Sequence, residues 1–294
     1  LLRQRYNVAS IEKICFNFIN KKIQKITIDD IEDCKESLRE YSQTSIDKAW
    51  TFIKKTFKLA ISRRLIIYNP MDDETLLKPI SKKETKVIDA LTIEEEENLN
   101  KILDNEERKH KYRNISKLQL LTGMRIGEVL ARSRKDVDFK NMTLNINSTI
   151  TRDSSGKTVL GRHTKTYNKR TNVDKGQRYF PINSEIKNIL KEELKKKVTN
   201  IYDLLFWDYK NNTFVSYQEI NSWLARLNDK YHISAKPLTS HVLRHTFITR
   251  LREKGVDMKV IQYLVGHTNN SKITDEVYTS LSDNFISKEL EKIK

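Results

Sequence analysis

The sequence predicts a mostly helical chain with a small antiparallel β-sheet or hairpin in its second half. Three observations lead there. Apolar residues recur at helical spacing through the first 80 positions and again beyond Ser184. One stretch, 137–151 (VDFKNMTLNINSTIT), alternates instead with a period of two. The 294 residues fit two domains at about 100–200 residues each. Seven Gly and four Pro are too few for a linker-rich or disordered chain, and 37% apolar residues suffice for a core at this length. No apolar run approaches the ~20 residues of a bilayer span, which excludes an integral helical membrane protein. The chain starts at Leu1 and shows no signal peptide, so an excised fragment of a longer, cytosolic protein is expected. Two cysteines, Cys15 and Cys34, argue against a disulfide framework or a Cys-based zinc site.

Residues 1–72 read as a helical domain. Ile11, Ile14, Cys15, Phe18 and Ile19 share one helix face, as do Trp50, Ile53, Phe57 and Ile61. Ser45 fits an N-cap. Asn69-Pro70 should stop the last helix, because proline disfavours helix at the residue before it. The polar stretch 73–89 reads as a linker; Lys78, Lys82, Lys83 and Lys86 suit either a strap along phosphates or a solvated connection. In residues 90–294, Thr92 and Glu95 make a capping box for a helix through Leu103, and a second helix is expected over about 107–121. A Gly-punctuated turn, Thr122-Gly-Met-Arg-Ile-Gly-Glu, then feeds a short helix. Lys157–Leu160 and Arg178–Ile182 read as further strands around a basic hairpin, and helix resumes at Ser184.

The formal charge of +16 favours a polyanionic partner, most simply nucleic acid. That charge is clustered. Residues 1–80 hold 15 basic and 11 acidic residues, whereas 139–178 hold nine basic and two acidic. A hairpin carrying Arg162, Lys165, Lys169, Arg170, Lys175 and Arg178 is a candidate reader of a DNA groove or backbone; the alternative is an exposed lysine-rich loop.

Three motifs could carry chemistry. In Ser240-His-Val-Leu-Arg-His-Thr, Ser240 suits an N-cap. His241 and Arg244 then lie three apart on one face of the first turn, where backbone N–H groups and cationic side chains favour an anion; His245 reads as a structural histidine. In Leu264-Val-Gly-His, Gly266 suits a helix C-terminus and delivers His267 into a polar turn, with Tyr278 eleven residues on. Arg125 follows Gly123 at a turn, with Glu128 placed to hold its guanidinium; a plain surface pair would contribute under about 1 kcal/mol. Two Arg, two His, a Lys and a Tyr suggest phosphoryl chemistry, since paired guanidiniums can fork onto the non-bridging oxygens of a phosphate. No carboxylate cluster for a divalent metal stands beside these motifs, so a metal-free nucleophilic route is the more economical.

These motifs, in this order and spacing, resemble the set of the tyrosine recombinases, and more narrowly the integrases of phages, pathogenicity islands and integrative transposons. Lys25-Ile-Thr-Ile-Asp-Asp-Ile, Ser42 to Thr44, and Ile66 to Asn69-Pro-Met are similar to that family's core-site-binding domain. The resemblance implies a helical core-binding domain and an α+β catalytic domain gripping duplex DNA from opposite sides. It implies that Arg125 and Arg244 bind the scissile phosphate, that His241 and His267 assist by hydrogen bonding and proton transfer, and that Glu128 orients the site. Tyr278 would form a 3′-phosphotyrosyl link without metal, ATP or other cofactor. A hairpin lysine would act as general acid: Lys165 is the choice, with Lys169 and Lys175 as alternatives because the interval to Arg178 is long. The implied partners are attachment-site DNA, three further copies in a tetramer on two sites, an excisionase and a host DNA-bending protein, in the bacterial cytoplasm. Such integrases often carry an arm-site-binding domain at their N-terminus, and the resemblance implies that Leu1 falls after the place such a domain would take. The tail 279–294 would dock on a neighbouring subunit or pack on its own domain. A chromosome-dimer-resolving recombinase, a type IB topoisomerase and a non-catalytic regulator on the same fold are the rival readings.

Overall fold

The computed structural model describes residue 18 and residues 20–83, 90–105, 110–153, 155–168, 172–174, 176–196 and 200–266. The chain divides into two compact units, Leu1–Val87 and Ile88–Lys294. No helix among the described residues is long and apolar enough to cross a membrane.

In the first unit, α1 (Ile28–Leu38) opens on a reciprocal capping box. The Asp30 amide donates to Thr27 Oγ1 and the Thr27 amide to the Asp30 carboxylate, satisfying two N–H groups that the helix cannot pair internally. Helix α2 (Gln43–Ser62) follows Ser42 rather than the expected Ser45. Its Trp50, Ile53 and Phe57 share one buried core with Ile31, Cys34 and Leu38 of α1, and with Phe18, Met71 and Leu76. Ile61 is exposed, because α2 ends one residue later, at Ser62. Arg64 turns left-handed (φ 56°), so the helix stops well before Pro70. That proline instead opens a 3₁₀ turn, Pro70–Asp72, capped by the Asn69 side chain. Cys34 is buried and disulfide-bonded, where the sequence argued against a disulfide framework; Cys15 lies outside the described residues, as do Ile11, Ile14 and Ile19.

Residues 73–83, expected to be linker, are held on the first unit. The Ser81 amide donates to Gln43 Oε1 (2.9 Å), Ser81 Oγ donates to the Tyr41 carbonyl (2.6 Å), and the Gln43 amide donates to the Pro79 carbonyl. Lys78 and Lys82 pair with Asp47 and Glu40. Lys86 lies outside the described residues.

The second unit begins with α3 (Ile93–Asn105), opened by the expected Thr92–Glu95 box. Helix α4 (Arg113–Thr122) starts later than expected, and α5 (Ile126–Leu130) follows Gly123. The predicted strand 137–151 is three strands: β1 (Val137–Asp138), β2 (Thr143–Ile146) and β3 (Thr149–Arg152). Asp138 accepts the Lys140 and Asn141 amides, and Met142 adopts φ 52°, so the chain turns inside what reads as one alternating run. Strand β3 pairs with β4 (Thr158–Gly161), and β5 (Tyr167–Asn168) pairs with β6 (Val173–Asp174). Strand β7 (Arg178–Pro181) then returns beside β2, with Leu144 opposite Phe180 and Ile146 opposite Arg178. The small sheet β1-β2-β7 thus brackets two successive hairpins.

Helix α6 (Ser184–Leu194) follows as expected, but a short hairpin, β8 (Trp207–Asp208) with β9 (Thr213–Phe214), interrupts the helical stretch beyond it. Helices α7 (Tyr217–Tyr231), α8 (Ser240–Glu253) and α9 (Met258–Val265) finish the described chain. One core joins Leu99, Leu118, Leu144, Phe180, Leu243 and Leu264. It leaves the C-terminal ends of α4 and α9 beside the first turn of α8.

Candidate active site

The site forms where two left-handed glycines end helices beside two arginines. Gly123 (φ 60°) closes α4, and Arg125, two residues on, is the N-cap of α5. A Cβ at Gly123 would lie 2.2 Å from the Phe247 ring, so α8 packs against bare backbone there. Thr239, not Ser240, caps α8; its Oγ1 accepts the Val242 amide, and Ser240 is the first helical residue. One turn on, Arg244 is buried and donates from Nη1 to the Gly123 carbonyl and from Nη2 to the Val265 carbonyl, both at 2.7 Å. Arg125 reaches the same turn from the other side, through Nη1 to Val265 O (3.5 Å) and Nη2 to Gly266 O (3.0 Å). Two guanidiniums from distant segments therefore converge on one carbonyl. Among the described residues these bonds, with that to Glu128, use about half of the ten N–H donors the pair offers.

Glu128 is wholly buried rather than part of a surface pair. Its carboxylate accepts from Arg125 Nη1 (3.1 Å), from the Arg125 amide (3.2 Å) and from Arg178 Nη2 (2.8 Å). Burial alone would raise its pKa; the charges of Arg178, Arg125 and Arg244 prevail and hold it below the ordinary carboxylate range. Burial, then the charge of Arg125, draws Arg244 down to about 9, and the guanidinium stays charged at neutral pH.

His241 is exposed at the rim. Loss of water around its ring, then the charges of His245, Arg244 and Lys165, hold its pKa below the ordinary imidazole value, so the neutral ring prevails at pH 7. Lys165 is exposed on the loop after β4. That loop is pinned by Asp174, which accepts the Thr164 amide (2.6 Å), Thr164 Oγ1 (2.5 Å) and the Gly176 amide (3.1 Å). Arg162 is exposed on the same loop. Lys169, Arg170, Lys175, His267 and Tyr278 lie outside the described residues.

Arg178 departs from its expected place among the DNA-facing hairpin cations. Its side chain is 1% exposed, and it donates to Leu264 O (2.7 Å), Gly176 O (2.8 Å) and Glu128. A residue so enclosed is part of the floor of the site. The signal was present in the sequence: Arg178 stands two before Phe180 in β7, on the strand's inward face. Arg132 also escaped sequence reasoning. It is fully buried, donating to the Glu128 carbonyl (2.8 Å) and the Ser148 carbonyl (2.9 Å) beside Asp136; it lies between the end of α5 and a 3₁₀ turn, where no periodic signal runs.

A family model described as "Phage integrase family" matches residues 89–284, which include every candidate catalytic position. The chain belongs to the phage integrase family. It is a tyrosine-type site-specific DNA recombinase. The integrase of Staphylococcus phage L54a is 28% identical over 97% of this chain and 82% of its own length. The transposase from transposon Tn916 of Enterococcus faecalis is 29% identical over 90% and 67%. Among solved structures, the Tn1549 transposon integrase in complex with transposon right end DNA superposes with a TM-score of 0.74 at 22% identity, over 99% of this recombinase and 93% of that chain. A lambda integrase dimer bound to a core site superposes with a TM-score of 0.61 at 17% identity, over 92% and 89%. At those identities the superpositions bear on the fold: a helical unit followed by a mixed unit of helices and small antiparallel sheets.

Proposed function

We propose that this recombinase integrates and excises a mobile element by cutting duplex DNA at attachment sites through a phosphotyrosyl intermediate. The convergence of Arg125 and Arg244 on the Val265 carbonyl carries the reading. Two permanently charged forks, held within one turn, suit a phosphate whose non-bridging oxygens gain charge during attack. Tyr278 Oη attacks the phosphorus, a Tyr Oη–P bond forms, and the bond to the 5′-oxygen breaks. His241 and His267 move or hold protons at the site, and Lys165 delivers a proton to the departing 5′-oxygen. Glu128 fixes the orientation of Arg125. The phosphodiester energy is kept in the phosphotyrosine, so a 5′-hydroxyl can reverse the step on a new strand without ATP.

The helical first unit, with residues 73–83 held on it, and the catalytic second unit would together bind the core site, with Arg162, Lys169, Arg170 and Lys175 on the DNA backbone. Affinity should fall steeply with salt. The full reaction takes four copies on two sites, with tail 279–294 joining neighbours, in the bacterial cytoplasm with an excisionase and a host DNA-bending protein. Similarity to the tyrosine recombinases XerC of Pediococcus pentosaceus (26%) and XerD of Staphylococcus haemolyticus (27%) favours a second reading, resolution of chromosome dimers.

Covalent trapping tests the chemistry. A nicked duplex spanning the attachment site at the element's ends, incubated without added metal, should give a protein–DNA adduct on a denaturing gel. Tyr278→Phe should give none. Absence of adduct with specific binding intact would overturn the catalytic reading in favour of a regulator.

A further inference from the structure

Arg178 is sealed beneath the site, and its three nitrogens reach three different elements. Nε donates to the Leu264 carbonyl at the end of α9, Nη1 to the Gly176 carbonyl at the close of the hairpins, and Nη2 to the Glu128 carboxylate on α5. Each acceptor is one step from a group that faces DNA on the reading above. Glu128 also holds Arg125. Gly176 lies against Thr164, the neighbour of Lys165, so closely that a Cβ would sit 2.2 Å from Thr164 Oγ1. Leu264 precedes Val265, the carbonyl shared by both clamp arginines. Gly266 packs onto the same guanidinium, where a Cβ would lie 2.6 Å from Arg178 Nη1.

A buried charge is a costly way to fill space, since an apolar side chain of similar volume often stabilises as well or better. What only a planar guanidinium does here is fix three directions at once; an ammonium is a single point of charge. We propose that Arg178 is a positioning residue for strand cleavage, holding the arginine clamp and the end of α9 in one register. The proposal rests on Arg125 and Arg244 acting as the phosphate clamp.

The test is single-turnover cleavage of the same nicked duplex in two forms, with an ordinary scissile phosphate and with a methylphosphonate there. The second has lost one non-bridging charge and asks less of a guanidinium clamp. Arg178→Lys should bind both with near wild-type affinity, cleave the ordinary substrate about 10–100-fold more slowly, and cleave the neutral one with a loss below about threefold. An equal loss on both substrates, or none on the ordinary one, would overturn the proposal. Arg125→Ala is the parallel control. If its loss is the same on both substrates, the clamp reading itself fails, independently of Arg178. If Arg178→Lys does not fold, Gly266→Ala carries the same comparison, because its Cβ would lie 2.6 Å from Arg178 Nη1 and shift the guanidinium while leaving both charges of the buried ion pair in place.

Discussion

The floor and the rim of the site use the same chemistry under opposite conditions. On the floor, Arg178 and Glu128 are ion-paired at 2.8 Å with side chains 1% and 0% exposed. On the rim, Arg125 meets the same carboxylate at 3.1 Å but is 23% exposed. One carboxylate thus serves two arginines, one facing inward and one outward. The difference teaches where each arginine's contribution lies. The inward pair sets the shape of the site, and removing either partner strands a charge without water. The outward arginine is open to solvent, and its removal leaves a solvated gap.

The sharpest way to break this comparison is Glu128→Ala. It leaves Arg178 charged, buried and without its anion, which typically costs about 3–5 kcal/mol. Urea unfolding should show that loss as a lower midpoint. A loss near that of an exposed ion pair, under about 1 kcal/mol, would show that the floor is not the strut described. Arg125→Ala acts on the rim and should behave in the opposite way. Its unfolding midpoint should stay close to wild type, while single-turnover cleavage falls about 100–1,000-fold, as when one charge-stabilising donor is removed from an active site. Loss of stability without loss of rate would reverse the assignment of the two arginines.

The rim was more legible in the sequence than the floor. Arg125, Arg244 and His241 sit in short motifs punctuated by Gly123, Gly266 and the start of α8, and local turn chemistry marks such positions. The left-handed conformations of Gly123 and Gly266 agree with that reading. By charge Arg178 reads as part of a basic cluster, whereas β7 alternation puts it inward beside Phe180. Burial of a charge is decided by partners distant in sequence, here Glu128 fifty residues earlier and Leu264 eighty-six later, and no local pattern reports them. The same limit explains the chain's turns. Asp138 folds 137–151 into separate strands through its own side chain, and Ser81 ties the expected linker to Gln43 thirty-eight residues away. Periodicity located the helices well where one continuous face is buried, as in α1, α2 and α6; α4 is buried nearly all round. It located their ends less well, because ends are set by caps and left-handed residues such as Arg64.

The smallest expected effect sharpens the comparison at the outermost residue of the rim. His241 loses water around its ring and faces the charges of His245, Arg244 and Lys165, which together hold it below its ordinary value. In the unfolded chain the imidazole takes up its proton near pH 6.5; in the folded recombinase it does so only at lower pH. Between those two points the unfolded state binds more protons, so folding stability falls as pH drops through that window and is unaffected well above it. His241→Gln removes the titrating group. The melting temperatures of the two proteins should run parallel from pH 7 to 8 and converge or cross below about pH 6.5, as the wild type loses stability faster. Cleavage by the wild type should decline over the same interval, because protonation removes the lone pair that a neutral imidazole offers at the site. If the difference between the two melting temperatures stayed constant with pH, the cationic surroundings of His241 would be solvated away. His241 would then stand on open surface, outside the field that Arg125 shares with the buried Arg244.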